Sequence, residues 1–70
     1  MDSKNSKFKR LAELRANRAL KDIRLIGNLS NKNYYAYNIE DVELIFSALR
    51  KEMKNAENRF KGSEKGRIKL

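Results

Sequence analysis

Cysteine and histidine are both missing from this 70-residue chain, and the two absences remove most enzyme chemistry. Without cysteine there is no disulfide, no thiolate metal site and no thiol nucleophile. Without histidine the usual general base near neutral pH and the commonest metal ligand are gone. Only three glycines occur, and none belongs to a phosphate-binding loop. No apolar run approaches the roughly 18 residues that a membrane-spanning helix needs. The first residues, M-D-S-K-N-S-K, lack the apolar core of a signal peptide, so the chain reads as cytoplasmic. In that setting the glycosylation triplet Asn28-Leu29-Ser30 carries no weight. Asp41, Glu43, Glu52 and Glu57 fall on the polar side of a helical pattern, away from any proton partner. The expectation is a protein that is not an enzyme, with no cofactor, no metal and no small-molecule substrate.

What the chain does have is helical patterning. Ile39, Val42, Phe46, Leu49, Met53, Ala56 and Phe60 recur at alternating spacings of 3 and 4, the heptad seam of a helix that packs on another. Asn38 stands where an N-cap belongs, and Glu40, Asp41 and Glu43 follow in the first turn, where negative charge suits the helix dipole. Lys54, Arg59 and Lys61 crowd the opposite end. A helix over about 39–60 follows.

The first helix is expected over about 6–26, ending at Gly27 as a left-handed stop. Phe8, Ala12, Ala16, Ala19, Ile23 and Ile26 form one stripe on it, and Leu11, Leu14, Leu25 and Leu29 lie beside that stripe. Together they widen the apolar arc to roughly two-thirds of the circumference, where a helix with one partner needs about a third. The excess points to a second interface, most simply a homodimer forming a four-helix bundle. Arg15, Arg18 and Asp22 fall inside the arc. They fit an ion-pair cluster at a helix seam, with arginine stems covering apolar surface. The sharper alternative makes Arg15 and Arg18 donors to an acidic or phosphate-bearing partner.

The architecture implied is all-α: one domain, an antiparallel two-helix hairpin with a structured connector at 27–38 and a flexible basic tail at 61–70. Seventy residues lie near the lower limit for a self-sufficient core, so docking or dimerisation would help. The connector is longer than a helix–helix turn requires. It holds all three tyrosines, Tyr34, Tyr35 and Tyr37, and the asparagines 28, 31, 33 and 38. Tyrosines among lysine and amide side chains could stack on unpaired bases. They would also serve, with Leu29, as a lid over the open end of a hairpin, rings inward and hydroxyls wet. The lid reading leaves Asn31, Lys32, Asn33 and one tyrosine for a partner.

The net charge of +8 is unevenly placed. Residues 1–29 carry eight Lys/Arg against three Asp/Glu, and residues 39–60 carry four against five. Lys4, Lys7, Lys9 and Arg10 gather at the start of the first helix, against the dipole. Departures from local rules tend to mark functional sites. With Arg24, with Lys32 in the connector and with Lys61, Lys65 and Arg67 beyond the second seam, they form a candidate polyanion surface.

The core R-L-A-E-L-R-A-N-R-A-L-K-D-I-R-L-I-G-N-L-S-N-K-N-Y-Y-A-Y-N-I-E-D-V-E-L-I-F-S-A-L-R-K-E-M, residues 10–53, resembles short bacterial and phage proteins of unassigned activity. Those proteins carry a similar L-I-G-N-L-S-N, a Y-x-Y spacing and an E-D-V…I-F…A-L helix. The resemblance covers about two-thirds of the chain and implies a bacterial or mobile-element setting. Tyr35 and Tyr37 match the Y-x-Y spacing, whereas Tyr34 is extra, which weakens any special role for it. Two functions remain. One is a regulator that binds nucleic acid, DNA or RNA, or a nucleoprotein complex. The other is an interaction module or inhibitor that docks an apolar helix face on a larger protein.

Overall fold

A computed structural model describes residues 3–65. The described chain is all-helical, with helix α1 at Lys4–Gly27, a 3-10 turn at Asn28–Ser30 and helix α2 at Ile39–Lys65, and it contains no strand. It divides between Ala36 and Tyr37 into two units, each built around one α-helix.

In the first unit Ser3 is extended, with φ −122° and ψ 167°, and its Oγ accepts the Ser6 N–H at 3.1 Å. Its carbonyl accepts the Lys7 N–H at 3.0 Å. Capping at Ser3 starts α1 two residues before the expected Ser6, because both serines can cap and the earlier one adds helical bonds. The residues of α1 least open to solvent are Leu11, Ala12, Ile23 and Ile26. Three of them lie on the stripe that begins at Phe8.

The expected left-handed stop at Gly27 is not what the structure shows. Gly27 has φ −60° and ψ −30°, ordinary right-handed values, and no described residue has positive φ. The Asn28 N–H still bonds to the Arg24 carbonyl, so the chain tightens into the 3-10 turn instead of reversing. The first backbone departure comes at Asn31, with ψ 102°.

In the second unit the Asn38 side-chain oxygen accepts the Asp41 N–H at 2.8 Å, which makes Asn38 the N-cap of α2. Glu40 and Asp41 occupy the first turn. Val42, Phe46 and Leu49 are half-buried and lie on the expected seam, while Ile39, Met53 and Phe60 on the same seam are exposed. The helix continues to Lys65, five residues past its expected end at Phe60. Residues 61–65 therefore belong to α2 and not to a tail. A Glu57–Lys61 pair at 3.9 Å straddles that boundary in the favourable i,i+4 orientation. One glycine at position 62 costs a helix only about 1 kcal/mol. The expected tail beyond 65 lies outside the described residues.

No described residue is buried. Most helical stability in proteins comes from packing an amphipathic face, so where burial is slight the caps carry weight.

Substitutions at two positions test this geometry by thermal unfolding followed by circular dichroism. A Cβ added at Gly27 meets nothing within 4 Å, so Gly27→Ala is expected to stabilise by about 0.5–1 kcal/mol. A left-handed Gly27 would give loss instead. Asn38→Ala should cost about 1 kcal/mol, with Asn38→Asp close to neutral.

Candidate nucleic-acid interface

Helix α1 begins with Lys4 and has no acidic residue in its first turn, whereas α2 opens with Glu40 and Asp41. Each peptide dipole of α1 adds positive potential at its N-terminus, and Lys4, Lys7, Lys9 and Arg10 raise it further. All four are exposed. Lys4, Lys7 and Arg10 follow one another at spacings of three along an inclined ridge that rises about 9 Å. Lys9 projects from another side of the helix. Arg24 lies about 21 Å along the axis from Arg10, in the last turn of α1. There a cation stabilises the helix, so Arg24 has a sufficient local reason to be where it is.

The remaining candidates separate. Lys32 stands in the turn that follows Asn31. Lys61 pairs with Glu57, both side chains more than half exposed, and a pair so exposed is worth little and breaks readily for a competing anion. Lys65 is the last residue of α2. Arg67 lies outside the described residues.

Arg15, Arg18 and Asp22 are exposed on α1, and no ion pair within 4.0 Å joins them. An acid placed four residues after its base is the weaker orientation of such a pair, and solvent screens both groups. The arginines are thus held by no carboxylate of the described residues.

The connector is organised by one residue whose role the sequence reading missed. The Asn31 side-chain oxygen accepts the Asn33 N–H at 3.0 Å. Its carbonyl accepts the N–H groups of Tyr34 at 3.1 Å and Tyr35 at 3.0 Å. Asn31 is therefore the pin of the turn. The signal was present in N-K-N, an asparagine two residues before an amide it can bind. The two tyrosine rings that follow are tilted by 60° with centroids 6.5 Å apart. The four lid residues differ in cover: Tyr34 is 78% exposed, Tyr37 39%, with Leu29 and Tyr35 between them. Tyr34 is the ring most open to a ligand.

Among the described residues no cluster of acidic side chains is placed to hold a metal ion. No helix among them is long and apolar enough to cross a membrane. Compared with protein-family models, with curated proteins and with solved structures, the chain matches none.

Asn31→Ala should expose the Asn33 amide to fast hydrogen exchange while the Asp41 amide, capped by Asn38, keeps its protection. Asn31→Asp should restore protection at Asn33, since a carboxylate accepts the same bond. Unchanged exchange at Asn33 in the alanine variant would remove Asn31 from this role.

Proposed function

We propose that this chain is a small non-enzymatic regulator, bacterial or mobile-element in setting, that binds nucleic acid or a nucleoprotein complex through the basic start of α1. The observation that carries the reading is the contrast between the two helix starts. One obeys the dipole rule with Glu40 and Asp41. The other places Lys4 and Lys7 on its first turns and has no acidic residue in the first turn. That arrangement costs α1 a few tenths of a kcal/mol per residue, and a bound polyanion returns it by releasing counterions. Lys32 and Tyr34 in the connector add a cation and an exposed ring, a combination that stacks on unpaired bases.

The same reading takes α1 and α2 as an antiparallel hairpin. Two seams of 3–4 spacing and a connector pinned by its own hydrogen bonds support it. A second copy of the chain, completing a four-helix bundle, is one way to cover what apolar surface remains.

Fluorescence anisotropy with mixed-sequence duplex DNA and with an RNA of equal length tests the proposal. Binding at about 50 mM salt should weaken steeply as salt rises, with a log–log slope near −0.9 per phosphate contact for DNA. Replacing Lys4, Lys7, Lys9 and Arg10 by glutamine should flatten that slope by about 3 to 4. The same variant should melt no lower than the parent, since it relieves the helix dipole. Absence of binding to both polymers at about 50 mM salt sinks the proposal.

A further inference from the structure

Helix α1 carries a second stripe that shares only Lys7 with the nucleic-acid reading. Lys7, Leu11, Leu14, Arg18, Lys21 and Leu25 follow at spacings of 4, 3, 4, 3 and 4. In a helix unbroken from Lys4 to Gly27 these six fall on one line. That line lies about a third of a turn from the one through Phe8, Ala12 and Ile26. Leu14 and Leu25 are each 52% exposed. Lys7, Arg18 and Lys21 are exposed too, and no carboxylate of the described residues lies within 4.0 Å of their charged ends. The stripe thus mixes three leucines with three cations and carries no acid itself.

We infer that this stripe is a docking face for an amphipathic helix of another protein, one whose own seam alternates carboxylates with large apolar residues. Charge complementarity selects that occupant. Phosphates would satisfy the cations but leave the leucines in water. A bilayer surface would take the leucines, but Arg18 and Lys21 lie on the apolar line itself and would be drawn toward the acyl chains. A helix suited to that surface keeps its cations on the polar face. A second copy meeting this stripe with its own would set Lys7, Arg18 and Lys21 against their counterparts if parallel and against Leu25, Leu14 and Leu11 if antiparallel, with no carboxylate on either stripe. An acidic seam meets both kinds of residue at once, with glutamates opposite the cations and leucines opposite the leucines.

The test uses the full chain and a synthetic helical peptide with leucine and glutamate on one heptad seam, beside the same peptide with glutamine for glutamate. Titration by anisotropy at about 50 mM salt should show the glutamate peptide binding at least about tenfold more tightly. Leu14→Gln with Leu25→Gln should lose that binding while circular dichroism keeps its helical signal. Arg18→Glu with Lys21→Glu, both at exposed positions, should transfer the preference to a lysine-bearing peptide, which keeps the test valid if the leucine variant unfolds. A variant with Lys4, Lys9 and Arg10 changed to glutamine should still bind the peptide while its nucleic-acid affinity falls, so the two proposals fail separately. Equal binding of the glutamate and glutamine peptides overturns the inference. So does self-association in sedimentation equilibrium that the leucine substitutions abolish, which assigns the stripe to a second copy. Uptake by phosphatidylglycerol vesicles that the same substitutions abolish assigns it to a membrane surface and overturns it as well.

Discussion

Two helices of 24 and 27 residues carry leucine, isoleucine and phenylalanine along their length, and among the described residues not one side chain is buried. Covering that apolar surface is the constraint on which the rest of the structure depends. Burial is the largest favourable term in folding. Where a chain has little of it, local devices must hold its shape, and three side chains of the described residues supply them. Ser3 and Asn38 cap the two α-helices, and Asn31 pins the turn between them. Each bond spans at most four residues in sequence, so none of them depends on distant parts of the chain.

The distribution of charge follows from the same shortage. A protein with a large core can absorb an unfavourable helix start without consequence. In one with so little buried, four cations at the start of α1 are a proportionately larger expense, and their presence there is more telling. The comparison with α2 sharpens it, because the acidic start of α2 shows the rule being followed in the same chain. The leucines between Lys7, Arg18 and Lys21 lead to a similar argument. Apolar residues left in water and cations left without acids describe the complement of what is absent.

The features that could be read from the sequence are those decided within a few residues. The cap at Asn38 and the seam through Val42, Phe46 and Leu49 were readable because cap chemistry and 3–4 periodicity are local. The all-helical class followed from them. Gly27 misled because glycine permits a left-handed stop without requiring one, and the actual φ was set by continuation into the 3-10 turn. The end of α2 misled because K-G-S-E-K looks like a tail, yet a single glycine costs a helix only about 1 kcal/mol and need not stop it. Arg18 and Asp22 had the right spacing but the weaker orientation. In the candidate site the basic cluster was visible as a run of letters. Its geometry was not, because whether Lys9 joins Lys4, Lys7 and Arg10 depends on the pitch of a helix whose start had been placed two residues late. Asn31 was overlooked because its neighbours, lysine and tyrosine, drew the functional reading.

The turn at Asn31 also decides what light can learn from this molecule. The chain has no tryptophan and three tyrosines, all of them within 34–37. Its near-ultraviolet absorbance and intrinsic emission therefore arise almost wholly from one short stretch, and the Asn31 carbonyl holds the backbone of two of those residues. The helices are nearly silent at these wavelengths. The connector is a built-in optical probe of its own environment, and the far-ultraviolet signal of the peptide bonds reports separately on everything else.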